Sequence, residues 1–223
     1  MWEISKEYLE KNIALPQNAN SHLFHATNEP TITVFAGCNG AGKSTLIECT
    51  IDDMNSVINP DMFAAQLNPI NPRSVDYRAG KYAVEKLKRN IKNKTSFQVE
   101  TTLTGNYMLN QLKAARKSGY SIHLYYIGLQ NVRLHKARVN TRIAEGGHWI
   151  STADIERRYH ASLFNVPSAI DLSKKVIIID NSGPIYKTIA ELDCGNIIYI
   201  SDKLPNWFHA PFQRWQSSGE IKT

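Results

Sequence analysis

Along this chain, short apolar runs alternate with longer stretches in which apolar residues recur every three or four positions. Thr31-Ile-Thr-Val-Phe-Ala36 is β-branched and aromatic, which predicts a buried strand. Leu46, Ile47, Thr50, Ile51 and Met54 follow at helical spacing. Val57-Ile58 reads as a short strand ending in Asn59-Pro60-Asp61. Val75, Ala79, Ala83, Leu87 and Ile91 form the apolar stripe of a helix over about 74–94. A strand at 96–99 then ends at Glu100-Thr101-Thr102. Residues 106–117 read as a helix stopped by Gly119, and 121–127 as the next strand. Two further helices, about 131–145 and 152–166, are split by Gly146-Gly147. Lys175-Val-Ile-Ile-Ile179 is a near-continuous apolar run suited to a central parallel strand. A hairpin through Asp193–Asn196 leads into Ile197–Ile200, and Trp207 to Trp215 reads as a docked arm whose aromatics cover apolar surface.

Strands alternating with amphipathic helices predict an α/β fold with a mostly parallel sheet and helices on both faces. Between the first strand and its helix stands Gly37-Cys-Asn-Gly-Ala-Gly-Lys-Ser-Thr45, a full match to the glycine-rich phosphate-loop pattern. The context is the one the chemistry needs. Glycines let the backbone curl so that the N–H groups of Asn39, Gly40, Ala41, Gly42 and their neighbours point at phosphate oxygens, and a helix N-terminus adds partial positive charge. Lys43 is placed to reach the β/γ-phosphates, and Ser44 to offer its hydroxyl to Mg²⁺. The fold class expected is therefore a three-layer P-loop NTPase binding a nucleoside triphosphate.

The remaining polar clusters fall at the C-terminal ends of expected strands, where open α/β sheets bind ligands. Asp61 is the candidate base for a substrate hydroxyl, and it also suits a helix start. Glu100 suits either a metal-bound water or a polyol. Thr101 and Thr102 read as substrate contacts or a helix cap. Arg138 and Arg142 share one helix face. After the glycine turn and His148, Ser151-x-x-Asp154 opens a helix carrying Arg157 and Arg158. Two arginine-bearing helices over about 131–166 suit a lid that closes on a triphosphate. Surface ion pairing with Glu145, Asp154 and Glu156 is the competing role. Asp180 and Asn181, before Ser182-Gly183-Pro184, read as turn caps.

Composition narrows the classes. The chain has 223 residues and a formal charge of +6, with much of the basic charge around the 74–94 helix, where a solvated face accounts for it. Three cysteines make no disulfide framework and suit a reducing compartment. No signal-peptide pattern opens the chain, and no apolar run approaches the ~18 residues of a membrane span, so a cytoplasmic protein is expected. One domain is expected: a helical extension over 1–30, a core over 31–200 and a C-terminal arm over 201–223.

Taken together, the phosphate loop, Asn59-Pro60-Asp61, Val99-Glu-Thr-Thr-Leu103, Arg138 to Arg142, Gly146-Gly147-His148, Ile155-Glu-Arg-Arg-Tyr159 and Asp180-Asn181-Ser182 resemble the zeta toxin family of P-loop kinases, in order along the chain. The resemblance implies ATP- and Mg²⁺-dependent phosphorylation of a hydroxyl on a nucleotide sugar such as UDP-N-acetylglucosamine. It also implies a small antitoxin protein as partner. By the same likeness Lys43 and Ser44 serve phosphate and metal, Asp61 is the base, Glu100 and Thr102 touch substrate, and Arg142 with Arg157 or Arg158 clamps phosphate. The Glu-Thr-Thr-Leu and Gly-Gly-His elements look closer to a shorter branch of the family. Thr101 and Thr104 stand where the well-known toxins carry glycine and a basic residue. A polynucleotide or nucleoside monophosphate kinase, or a nucleotide-driven switch without an acceptor, are the alternatives, although no basic–aromatic groove for nucleic acid is readable.

Overall fold

The computed structural model describes residues 29–51, 53–145, 147 and 149–220. The expected N-terminal helical extension, Gly146 and His148 fall outside them. Seven strands, β1 (Thr31–Ala36), β2 (Val57–Ile58), β3 (Phe97–Thr101), β4 (Ser121–Gly128), β5 (Lys175–Asp180), β6 (Lys187–Asp193) and β7 (Asn196–Ile200), form one sheet in the order β2-β3-β1-β4-β5-β6-β7. The first five are parallel, and β6 and β7 close one edge as the antiparallel hairpin expected from the sequence.

Side-chain alternation along β1 sorts the core into two layers. Ile32, Val34 and Ala36 face a large cluster that also holds Ala83 and Leu87 of α3 (Asp76–Asn93), Leu112 of α4 (Asn106–Lys117) and Val166 of α6 (Thr152–Leu172). Phe35 faces the other way, with Leu46 and Ile47 of α1 (Lys43–Thr50), Tyr125 and Ile127. The sheet is thus covered on both faces, as parallel sheets require. Helix α2 (Pro60–Leu67) follows β2, and α5 (Val132–Ala144) precedes α6. Among the described residues no helix is long and apolar enough to cross a membrane.

Three boundaries depart from the sequence reading. Helix α1 stops at Thr50 with Ile51 extended, because the Asp53 side chain accepts from Asn55 N–H and starts a short 3₁₀ turn. Strand β3 runs on to Thr101, paired with Ala36. Helix α6, expected to end at 166, continues through Pro167 to Leu172. A proline inside a helix removes the hydrogen bond to the carbonyl four residues earlier, here that of Leu163. That carbonyl instead accepts from the Arg214 guanidinium at 2.9 Å, supplied by α7 (Asn206–Glu220).

Helix α7 is the docked arm. Trp207, Phe208 and Phe212 are buried in the main core. The Trp207 indole N–H donates to Asp180 Oδ1 at 3.0 Å, and its ring lies on Gly128, where a Cβ would meet ring carbons at 2.5 Å. The arm therefore braces the ends of β4 and β5, beside the phosphate loop. Trp207→Ala is expected to destabilise the fold by about 3–5 kcal/mol, the usual cost of emptying a buried aromatic site. Chemical denaturation reads this as a lowered midpoint, and a midpoint unchanged from wild type would refute the bracing role.

Candidate functional site

The site begins where β1 turns into α1. Gly37, Gly40 and Gly42 all take positive φ, at 146°, 76° and 97°. Space enforces glycine as well as torsion. A Cβ on Gly37 would lie 2.2 Å from the Ile127 carbonyl oxygen, and one on Gly42 would meet Asn181 Nδ2 at 2.5 Å and the Tyr186 hydroxyl at 2.6 Å. Among the described residues none accepts a hydrogen bond from the backbone N–H groups of Asn39, Gly40, Gly42, Lys43 or Ser44. Clustered donors at a helix N-terminus make an anion cradle.

Long-range contacts hold that cradle from behind. The Asn181 side-chain amide donates to the Ala41 carbonyl at 2.8 Å, and the Tyr186 hydroxyl donates to that of Gly42 at 2.8 Å. Burial pushes the Tyr186 phenol up to about 12, so it stays a donor at neutral pH. Neither residue was read from the sequence as part of the loop. Thr45, next along, is exposed at the rim.

Lys43 is buried, its ammonium 3.3 Å from the Cys38 carbonyl and 3.6 Å from Glu100 Oε1. Glu100 also accepts from the Ser44 hydroxyl at 3.1 Å on each oxygen and from the Asn59 amide at 2.7 Å. Asn59 works twice, since its Oδ1 caps α2 by accepting from Asp61 N–H at 2.8 Å. The Ser44 hydroxyl and Glu100 carboxylate are hard oxygen donors meeting at the loop, a set that fits Mg²⁺, which usually takes one or two protein oxygens and completes its shell with water and phosphate.

Asp61 stands on the first turn of α2, exposed to the same cleft. Among the described residues its carboxylate takes no hydrogen bond. Thr101 and Thr102 also line the cleft. The turn that presents them is strained, because Leu103 takes φ 54° while fully buried. A non-glycine residue there costs about 1–2 kcal/mol. Anchors offset this: Leu103 N–H donates to Thr101 Oγ1 at 3.0 Å, and Asn165 of α6 donates to the Leu103 carbonyl at 2.9 Å.

The arginine-bearing helices α5 and α6 pack directly on the loop. Cys38 is buried with Val139, Ile150 and Ile155, its Sγ 3.6 Å from the Ile155 carbonyl. Burial pushes this thiol up to about 11, so it serves packing rather than nucleophilic chemistry. Arg158 lines the cleft and donates to Asn39 Oδ1 at 3.1 Å. Arg138 donates to the Asn181 carbonyl at 2.8 Å, on the outer side of the loop. The other two arginines are not brought to the cleft. Arg157 points outward and pairs with Asp154 at 2.9 Å, which is the surface ion pair weighed against a phosphate role. Arg142 is exposed, with its stem and carbonyl wrapped by the turn at Gly147. Asp180 acts as the turn acceptor expected, taking the Ser182 hydroxyl at 2.6 Å.

His135 of α5 was missed by the sequence reading. It is buried, meets the Tyr159 ring edge to face, and its Nδ1 lies 2.8 Å from the Asn39 carbonyl. Among the described residues its Nε2 has no partner. Burial holds its pKa down to about 4, aided by the Lys43 and Arg138 charges and opposed by the bond to Asn39. The folded-state value is below the ordinary ~6.5, so the folded form favours neutral imidazole. Its contribution is fully present above about pH 6.5 and is lost as pH falls through about 4. His123, also lowered to about 4 by burial and by Lys175 and Lys174, adds in the same direction. Thermal unfolding is therefore expected to shift downward between pH 6.5 and 4. His135→Phe should flatten that slope, and an unchanged slope would remove His135 from the account.

A family model described as zeta toxin matches residues 17–188. An uncharacterized protein of Haemophilus influenzae is 39% identical over 125 residues, covering 56% of this chain and 89% of that protein. Among solved structures, the AvrRxo1-ORF1:AvrRxo1-ORF2 complex with sulphate ions gives a TM-score of 0.63 at 13% identity, covering 83% of this chain and 63% of that one. The same pair with ATP gives 0.58 at 14% identity, covering 76% of this chain and 60% of that one. The PezAT toxin–antitoxin system of Streptococcus pneumoniae gives 0.56 at 14% identity, covering 92% of each chain. The chain thus spans less than two thirds of the AvrRxo1 chains it matches.

Proposed function

The chain belongs to the zeta toxin family, and from that premise we propose that it is an ATP-dependent kinase transferring the γ-phosphoryl group to a small-molecule hydroxyl. The observation that carries this reading is one cleft holding both halves of the reaction. Lys43, Asn39 and Arg158 line it at the phosphate loop, Glu100 meets Lys43 and Ser44 there, and Asp61, Thr101 and Thr102 line the same cleft. A switch that only hydrolyses nucleotide has no need of a free carboxylate facing the loop across such a cleft. Phosphoryl transfer needs in-line positioning and neutralised charge, with little covalent help.

The geometry supports the following roles. The loop N–H groups and Lys43 hold the β- and γ-phosphates. Ser44 and Glu100 would hold Mg²⁺, which would supply charge neutralisation there. Asp61 accepts the acceptor hydroxyl's proton, and Thr102 positions the acceptor. Arg158 adds positive charge over the transferring group, while Arg138 reaches the loop from its far side. Within the family likeness, a small antitoxin is the expected protein partner. A toxin–antitoxin system among the structural neighbours is consistent with it.

The deciding experiment incubates the protein with Mg-ATP and a panel of alcohols, and reads products by mass. One acceptor gaining a single phosphoryl group supports the kinase. ATP hydrolysis with no acceptor modified would turn the reading to a switch. Arginine variants give a sharper contrast. Arg158→Ala is expected to lower kcat/KM at least about tenfold, as loss of a charge-assisted phosphate contact does. Arg157→Ala is expected to leave turnover unchanged and shift stability by at most about 1 kcal/mol, the scale of an exposed pair. Equal effects in steady-state rates would reject this assignment.

A further inference from the structure

The acceptor side of the cleft has a chemistry of its own. The cavity is about 380 Å³, near the lower end of the ~300–1,000 Å³ usual for ligand pockets, and the transferring phosphoryl group takes part of it. Its inner wall is apolar: Ile58, Val84, Leu87, Val99 and Met108, with the ring of Tyr107 at the rim. Gly80 of α3 opens this wall further, since nothing lies within 4 Å of where its Cβ would stand.

Charge is distributed just as unevenly. Among the described residues that line the cavity, the cations are Lys43 and Arg158, and both touch the phosphate loop. The anions are Asp61 and Glu100. The basic residues of α3 turn elsewhere. Lys81 pairs with Glu85 on the outer surface, Lys86 reaches the Asn55 carbonyl at 2.7 Å across the Phe63 ring, and Arg78, Lys88, Arg89 and Lys92 are exposed. A diphosphate-linked acceptor would bring two negative charges beside Asp61, whose carboxylate takes no hydrogen bond from a described residue, with both lining cations already engaged at the phosphate loop. Burying charge without a partner is costly, and like charges add to the cost. An apolar or aromatic group on the same wall is favoured by burial instead.

Resting on the kinase reading of this site, we propose that the acceptor is an uncharged alcohol with an apolar or aromatic body, its hydroxyl at Asp61 and its body against the Val84–Leu87–Met108 wall. The nucleotide sugar expected from the family resemblance is thereby replaced by a neutral acceptor, such as a nucleoside or an aryl or alkyl glycoside.

The test measures binding and transfer separately, on the full chain with Mg²⁺ and a non-hydrolysable ATP analogue for binding, and with Mg-ATP for transfer. The probes are uridine, phenyl and octyl β-N-acetylglucosaminide, and UDP-N-acetylglucosamine. At least one neutral probe is expected to bind at least tenfold more tightly than UDP-N-acetylglucosamine. A side chain at Gly80 starts into open space, so Gly80→Leu should weaken that probe at least tenfold while ATP-analogue affinity and thermal stability hold. Val84→Lys should likewise weaken the neutral probe. Tighter binding of UDP-N-acetylglucosamine, its improvement by Val84→Lys, or no binding by any neutral probe would overturn the proposal. Neutral binding that responds to Gly80→Leu but yields no transfer leaves the acceptor class standing and defeats the kinase reading. Transfer to UDP-N-acetylglucosamine alone does the reverse.

Discussion

Lys43→Met is expected to lower phosphoryl transfer by about a thousandfold or more, the scale on which removing a preorganised positive donor from a phosphoryl or oxyanion site acts. That corresponds to about 4 kcal/mol of transition-state stabilisation. The reason lies in where the ammonium sits. Lys43 is buried at the root of α1, held by the Cys38 carbonyl and Glu100 rather than by water. Little reorganisation is then needed when charge develops on the transferring oxygens. The variant also leaves Glu100 without its counter-charge, although Ser44 and Asn59 still donate to it. A stability loss of about 1–3 kcal/mol is expected, the scale of an incompletely satisfied buried group. Methionine keeps the aliphatic body of the side chain, so packing is spared. Initial rates with Mg-ATP, read beside a thermal melt, separate the two effects. A rate within tenfold of wild type would remove Lys43 from the transition state.

The loop around Lys43 was legible in the sequence because its information is local. Positive φ at Gly37, Gly40 and Gly42 selects glycine residue by residue, and the flanking strand and helix announce themselves by period. The order of strand ends carrying Asp61 and Glu100 to one cleft was legible for the same reason. What holds the loop was not. Asn181 and Tyr186 reach it from more than 130 residues away, and nothing in Asp180-Asn181-Ser182 distinguishes a turn cap from a brace. Asp180 is the cap and Asn181 is the brace, a difference of side-chain direction alone. His135 gave no signal because an i-to-i+4 pattern cannot tell a packed histidine from a core aromatic. The same limit hid the course of α6. Pro167 is a sound local stop signal, overruled here by an arginine 47 residues further on that satisfies the freed carbonyl. Arg157 and Arg158 show the limit at its finest. They are adjacent in sequence, yet about 100° of helical turn sends one to Asp154 and the other to the phosphate loop.

Asp61→Asn is the variant that separates chemistry from binding, with an expected loss of about 10²–10⁴ in kcat, the usual contribution of a positioned general base. Everything else about Asp61 is replaceable by asparagine. Its backbone N–H, which completes the cap on α2, donates to Asn59 Oδ1 whatever the side chain. Its carboxylate is exposed and takes no hydrogen bond from another described residue, so no buried partner is stranded. Only the favourable interaction of a negative charge with a helix N-terminus is lost, about 0.3–1 kcal/mol. Affinity for ATP should stay within about twofold, since Lys43, Arg158 and the loop N–H groups are untouched. Single-turnover transfer measured beside nucleotide binding checks both halves. Because an amide of the same shape cannot accept the proton, the expected signature is slow transfer from a normally loaded enzyme. Full turnover in Asp61→Asn would mean that the acceptor hydroxyl surrenders its proton elsewhere. Glu100 would be the poorer substitute, since Ser44, Asn59 and Lys43 already engage its oxygens. A free carboxylate across the cleft from the phosphate loop would then have no role in the transfer step, and the hydrolytic switch would become the better account of the site.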